Sequence, residues 1–115
     1  MSNRNLGSLW DMLQAIGEIQ EDSYKLDYAD FLENRTVRRA VERNFEILGE
    51  AARRISPEFQ KSHPEINWSN IIGLRNVLAH QYEVIRYEVL WGVIEEDLPP
   101  LKLKIEALLQ SIKHK

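Results

Sequence analysis

The sequence predicts an all-α fold, an antiparallel bundle of four or five helices. Three observations predict it. Apolar residues recur at helical spacing through most of the chain. No stretch alternates apolar and polar residues, and neither Asn-Gly nor Asp-Gly occurs to turn a hairpin. Glycine is scarce, with five in the chain, and the four prolines stand at junctions between periodic segments. No repeat, linker or low-complexity tract divides the 115 residues, so residues 1–115 are expected to form one domain. A chain of this size buries roughly two thirds of its unfolded surface.

Leu6, Leu9, Trp10, Leu13, Ile16 and Gly17 fall at i, i+3, i+4, i+7, i+10 and i+11, predicting an amphipathic helix over about 5–22. Residues 23–35 are mixed, with Asp30 as a candidate cap for a short turn carrying Phe31 and Leu32. Thr36 is the expected N-cap of a long helix whose stripe runs Val37, Val41, Phe45, Leu48, Ala52, Ile55. Ser56-Pro57 ends it, because proline disfavours helical geometry in the residue before it. The small residues Gly49, Ala51 and Ala52 would admit a neighbouring helix closely. A brief helical turn over 57–63 stops at Pro64, and Ser69 or Asn67 can cap a helix over about 68–80. Leu90, Val93 and Ile94, then Leu98, Leu101, Ile105, Leu108 and Ile112, form a last stripe. Pro99-Pro100 must kink or split it, most simply from the first turn of its second half.

Composition narrows the function. Hydrophobic residues make up 43% of the chain, and no run approaches the ~18 apolar residues of a membrane span. The polar start, Met1 to Asn5, does not read as a signal peptide, so the expected compartment is the cytoplasm. Without cysteine there is no disulfide, thiolate zinc site or cysteine nucleophile. A net charge of −3 argues against coating nucleic acid by bulk electrostatics. It leaves room for a local patch: Arg35, Arg39 and Arg43 stand at i, i+4 and i+8 with Arg38 beside them. That stripe is either a solvated face paired with Glu42 and Glu46 or a phosphate-contacting face.

The most informative stretch is residues 73–82, Gly-Leu-Arg-Asn-Val-Leu-Ala-His-Gln-Tyr. A guanidinium, a carboxamide, an imidazole and a phenol lie within eight otherwise apolar residues. At about 100° per residue, Asn76 and His80 share a helix face, whereas Arg75 and His80 are about 140° apart. For Arg75 and His80 to act together, either the helix ends near Ala79 or the partner group comes from another chain. A symmetric dimer supplies the second option. Imidazole moves protons near neutral pH, and guanidinium holds phosphate without losing its own proton. Together they suit metal-independent RNA cleavage, one handling a hydroxyl proton and the other the charge on phosphorus oxygens. Asn76 could orient the imidazole or the phosphate. His63, His80 and His114 are scattered without ligand spacing, so no metal site is expected. On these residues alone a structural role stays open: His80 against the last carbonyls of its helix, Tyr82 as a packed aromatic. Glu46 and Glu50, at i, i+4, either support Arg75 or pair with Arg43, Arg53 and Arg54. Trp68 and Trp91 read as core.

The order Arg75, four residues, His80, one residue, Tyr82 resembles the Arg-x4-His-x-Tyr motif of the HepT toxins, within the HEPN superfamily. The likeness extends to Val41–Ala52, to His63–Trp68 with Ile71–Asn76, and to Glu95–Pro99, spanning about residues 4–110. Gln81 stands where relatives often carry an acid, and Glu83-Val84-Ile85-Arg86 lacks the glycine-containing turn of many of them. The resemblance implies a homodimeric helical bundle with two copies of the motif converging in an interface cleft. It implies a metal-independent ribonuclease with Arg75 and His80 as catalytic residues, in a type VII-like toxin–antitoxin pair. It also implies a partner, an MNT-type nucleotidyltransferase antitoxin that transfers AMP from ATP to Tyr82; this chain itself would need no cofactor. The alternatives are a non-catalytic HEPN module binding RNA or nucleotide, and a helical dimerisation adaptor.

Overall fold

The computed structural model describes residues 3–78 and 85–113. They form α1 (Asn3–Ser23), α2 (Tyr28–Glu33), α3 (Arg35–Arg54), α4 (Pro57–Ser62), α5 (Trp68–Leu78), α6 (Tyr87–Gly92) and α7 (Leu98–Lys113). A π-helical stretch, Val93–Asp97, joins α6 to α7, and no strand occurs among the described residues. Seven α-helices occur among the described residues, where the sequence suggests a bundle of four or five. The two predicted short turns are complete one-and-a-half-turn helices, each with its own side-chain cap, and the last helix is split.

Helices α1 and α3 are antiparallel. Asn5 at the start of α1 donates to Ser56 Oγ at 3.1 Å and accepts from the Ser56 amide at 3.0 Å, just past the end of α3. Further along α1, Asp11 holds Arg54 at 3.0 Å. Between them lies the core. Val41, Phe45, Leu48 and Ala52 of α3 are fully buried, as the periodicity predicts, with each large side chain contributing about 1.5–3 kcal/mol. The face of α1 is turned from the predicted one. Leu9, Met12, Ile16 and Ile19 are fully buried, whereas Trp10 is 55% exposed. Trp10 sits one residue, about 100°, from Leu9, and the face centred on Met12 and Ile16 is the one that meets α3.

Two predicted caps shift by a few residues for chemical reasons. Asp27, not Asp30, caps α2: its carboxylate accepts from the Asp30 amide at 2.8 Å, and Asp30 reciprocates from the third helical position. Asn34, not Thr36, caps α3, accepting from the Val37 amide at 3.0 Å, because asparagine is the stronger N-cap and comes first. Asn67 caps the first turn of α5, accepting from the Asn70 amide at 3.1 Å.

Helices α3 and α5 pack closely at Gly49. A Cβ there would stand in van der Waals contact with α5, 3.4 Å from the carbonyl oxygen of Ile71 and 3.8 Å from that of Ile72. At the other end, Leu98 donates its amide to the Val93 carbonyl five residues back. Pro99 and Pro100 have no amide to donate, and they occupy the first turn of α7 directly after this wider turn, where missing donors matter least. No helix among the described residues is long and apolar enough to cross a membrane.

Candidate functional site

Helix α5 is anchored at its first turn and presents its far end. Trp68 is 5% exposed and donates its indole N–H to the His63 carbonyl at 3.0 Å, while Ile71 packs into the core beside Gly49. One turn beyond, Arg75 emerges half-exposed, with Nη1 at 3.4 Å from Glu50 Oε1 on α3. The same oxygen lies 3.7 Å from Arg53 Nη1. Glu50 therefore supports Arg75 and also pairs with Arg53, joining two roles that the sequence leaves as alternatives. Glu46 pairs with Arg43 at 3.4 Å, and Arg54 is taken by Asp11.

Arg75 and Leu78 form one wall of an open groove of about 480 Å³, whose other wall is Arg43, Glu46, Ile47, Glu50 and Arg54 of α3. Arg43, Ile47, Glu50 and Arg54 fall at i, i+4, i+7 and i+11, so one helix face supplies that wall. Arg39 and Arg35 continue the cationic stripe for about 12 Å beyond Arg43 along the helix. Both are exposed, and neither has an ion pair among the described residues. Exposed ion pairs of this kind contribute only about 0–1 kcal/mol each, so an incoming phosphate can take over the guanidinium of Arg43 or Arg75 at little cost. Asn76 is exposed on the adjoining face of α5, beside a second depression that also borders Arg75. The structure thus brings Arg75, Arg43 and the carboxylates together and sets Asn76 alongside. His80 and Tyr82 lie outside the described residues, as does His114.

Arg38, by contrast, is committed to structure. It donates from Nη1 to the Leu32 carbonyl at the end of α2, and its guanidinium lies 5.4 Å from the centroid of the Tyr87 ring. Tyr87 donates its hydroxyl to Glu42 Oε2 at 2.9 Å and meets Phe31 edge-on at 6.0 Å. Trp91 stacks against Phe31 at 5.1 Å and is half-buried rather than core. This knot joins α2, α3 and α6, and no local pattern signals it because its members are up to 60 residues apart. Burial raises the Tyr87 phenol above its ordinary value, and the Glu42 carboxylate adds to the rise; Arg38 offsets part of it.

The Tyr87→Phe variant is expected to lose about 1 kcal/mol, because Glu42 loses its donor. The sign follows from the raised phenol: the folded state holds that proton more tightly than the unfolded one. The stabilisation is therefore complete below the ordinary tyrosine range, about pH 10, and is lost as pH rises through the folded value. Urea denaturation of both proteins at neutral and strongly alkaline pH reads it as a gap in midpoint that narrows at high pH.

An all-helical protein with an exposed arginine in a groove continuous with an arginine stripe has the surface expected of a phosphodiester-binding protein. Comparison with known proteins makes the class specific. The family profile described as "Ribonuclease HepT-like" matches residues 12–108. "Putative RNase MJ1380" of Methanocaldococcus jannaschii is 38% identical over 107 residues, covering 92% of this chain and 98% of the relative. "Probable ribonuclease HepT" of Thermococcus cleftensis is 39% identical over 100 residues, covering 87% of this chain and 91% of the relative. No solved structure matches this chain. The chain belongs to the HepT-like family of the HEPN superfamily.

Proposed function

We propose that this protein is a metal-independent endoribonuclease, the toxin of a type VII-like toxin–antitoxin pair, acting on cellular RNA in the cytoplasm as a homodimer. The observation that carries the proposal is the position of Arg75, half-exposed, held by one exposed carboxylate, and opening onto the groove that the α3 arginines extend. The family and the names of its relatives support the same reading.

The chemistry divides between two side chains. The RNA 2′-hydroxyl attacks the adjacent phosphorus, the bond to the 5′-oxygen breaks, and a 2′,3′-cyclic phosphate remains. His80 handles the proton of the attacking hydroxyl or of the leaving oxygen. Arg75 neutralises the negative charge that grows on the non-bridging oxygens, and Asn76 orients the imidazole or the phosphate. Arg35, Arg39 and Arg43 contact phosphates further along the strand. The two-fold axis of the dimer brings Arg75 of one protomer to His80 of the other. Neutralisation is the work of an MNT-type nucleotidyltransferase antitoxin. The Tyr82 phenol oxygen attacks the α-phosphorus of ATP bound by that partner, pyrophosphate leaves, and the phenolic proton passes to solvent. The chain itself needs no cofactor.

Purified protein, free of its partner, is incubated with cellular RNA in buffer containing EDTA. Cleavage that persists in EDTA and ends in cyclic phosphates is the expected result. Intact RNA, or cleavage restored only by added divalent metal, would sink the proposal and favour a non-catalytic binding module.

A further inference from the structure

Arg75 borders not one depression but two. The second, of about 710 Å³, lies on the other side of it and is lined by Arg53, Gln60, Ser69, Gly73, Arg75 and Asn76, with Ile72 as its apolar part. Its size is within the range of small-ligand sites. Its polar groups are unequally engaged. Gln60 donates its amide N–H to the Ile55 carbonyl at 3.0 Å, which leaves its own carbonyl oxygen without a bond among the described residues. Ser69 donates to Asn67 Oδ1 at 3.2 Å and keeps its oxygen lone pairs. Asn76 is exposed, and its carboxamide has no hydrogen bond among the described residues. Arg53 is 59% exposed and stands against the same Glu50 oxygen as Arg75. One carboxylate thus sets two guanidinium groups side by side, both at the edge of this depression and Arg75 also at the edge of the groove.

We infer that this depression is a nucleotide subsite, in which Arg53 binds the phosphate next to the cleaved one and the pocket takes the sugar and base between them. The inference rests on the proposed cleavage of RNA at Arg75. An exposed carboxamide and two oxygen acceptors around an apolar patch suit the polar edge and the flat face of a base. Gly73 keeps the pocket open: a Cβ built on it meets nothing within 4 Å among the described residues, so a side chain there has room to project into the depression.

That opening provides a test that spares the fold. Gly73→Leu improves helix propensity in α5 and fills the depression; Arg53→Ala removes an exposed side chain with its water-screened pairing to Glu50. Binding is measured with the full-length chain carrying His80→Ala, to prevent turnover, on a short fluorescein-labelled single-stranded RNA across a series of salt concentrations. Adding Arg53→Ala is expected to weaken binding roughly 5- to 10-fold and to lower the slope of log K against log salt by about 0.7, one phosphate contact. With His80 intact, Arg53→Ala and Gly73→Leu are expected to raise KM and leave kcat within about twofold. Sequencing of cut sites in a random RNA pool is expected to show that Gly73→Leu levels any base preference beside the cut. Unchanged KM and salt slope in Arg53→Ala, in a protein whose wild type cleaves RNA, would overturn the subsite alone. A wild type that leaves RNA intact overturns the nuclease reading instead. If Gly73→Leu alters the oligomeric state, Arg53→Ala decides.

Discussion

Arg75→Ala is expected to lower RNA cleavage about 100- to 1,000-fold, the usual cost of removing a preorganised donor aimed at developing charge. The loss should appear mainly in kcat, because the guanidinium meets more negative charge in the phosphorane-like transition state than in the bound substrate. Folding should hardly change. The only ion pair that Arg75 makes among the described residues is with Glu50, and both side chains are about half exposed, so the contact is screened by water. Arg75→Lys retains charge but loses the planar fork and should fall between the two. His80→Ala is expected to cost about 100- to 10,000-fold for a separate reason, the loss of a positioned proton carrier. Steady-state kinetics on a defined RNA, with thermal denaturation alongside, separate these effects from instability. A variant of Arg75 that keeps wild-type kcat would remove that residue from the chemistry.

Adenylylation of Tyr82 is expected to abolish cleavage as fully as Arg75→Ala. Each AMP adds an anionic phosphodiester and a purine two residues from His80 and seven from Arg75 in sequence. The new phosphate competes with substrate for the guanidinium, and the purine fills space that RNA needs. Tyr82→Phe should cleave RNA near the wild-type rate, gain no mass from the antitoxin and ATP, and stay toxic when the antitoxin is co-expressed. Intact-mass measurement reads the transfer directly. An adenylate-sized gain that persists in Tyr82→Phe would place the modification elsewhere. Tyr87 is a poor substitute acceptor, since its hydroxyl is already bonded to Glu42 and burial holds its proton in place.

What could be read from the sequence was local. The stripe of α3 and its stop at Pro57 follow from spacing alone, and the fully buried Val41, Phe45, Leu48 and Ala52 bear it out. Gly49, one of the small residues expected to admit a neighbouring helix, does face the backbone of α5. Harder to read were choices between near-equal local signals. Trp10 looks like a core residue on a wheel, but α3 covers the face centred on Met12 and Ile16. Asn34 and Thr36 both cap helices, and only their order and relative strength decide. Least legible were contacts between distant segments. Glu50 meets Arg75 across 25 residues, and Tyr87 meets Glu42 across 45. Periodicity carries no information on which charged side chain of one helix will face another. The angle that a helix running on to His80 would set from Arg75 is of a different kind: a local expectation with a long-range consequence, since unless the helix ends near Ala79 it calls for a second protomer.

That expectation can be measured. Arg75→Ala and His80→Ala protomers, differently tagged, are co-expressed, and the mixed dimers are compared with each parent. If Arg75 of one protomer works with His80 of the other, a mixed dimer contains one site with both side chains intact. A random mixture should then recover about a quarter of wild-type activity, since half the dimers are mixed and each has one working site. Isolated mixed dimers should recover about half. Mixed dimers as inactive as their parents would contradict a site shared across the two-fold axis.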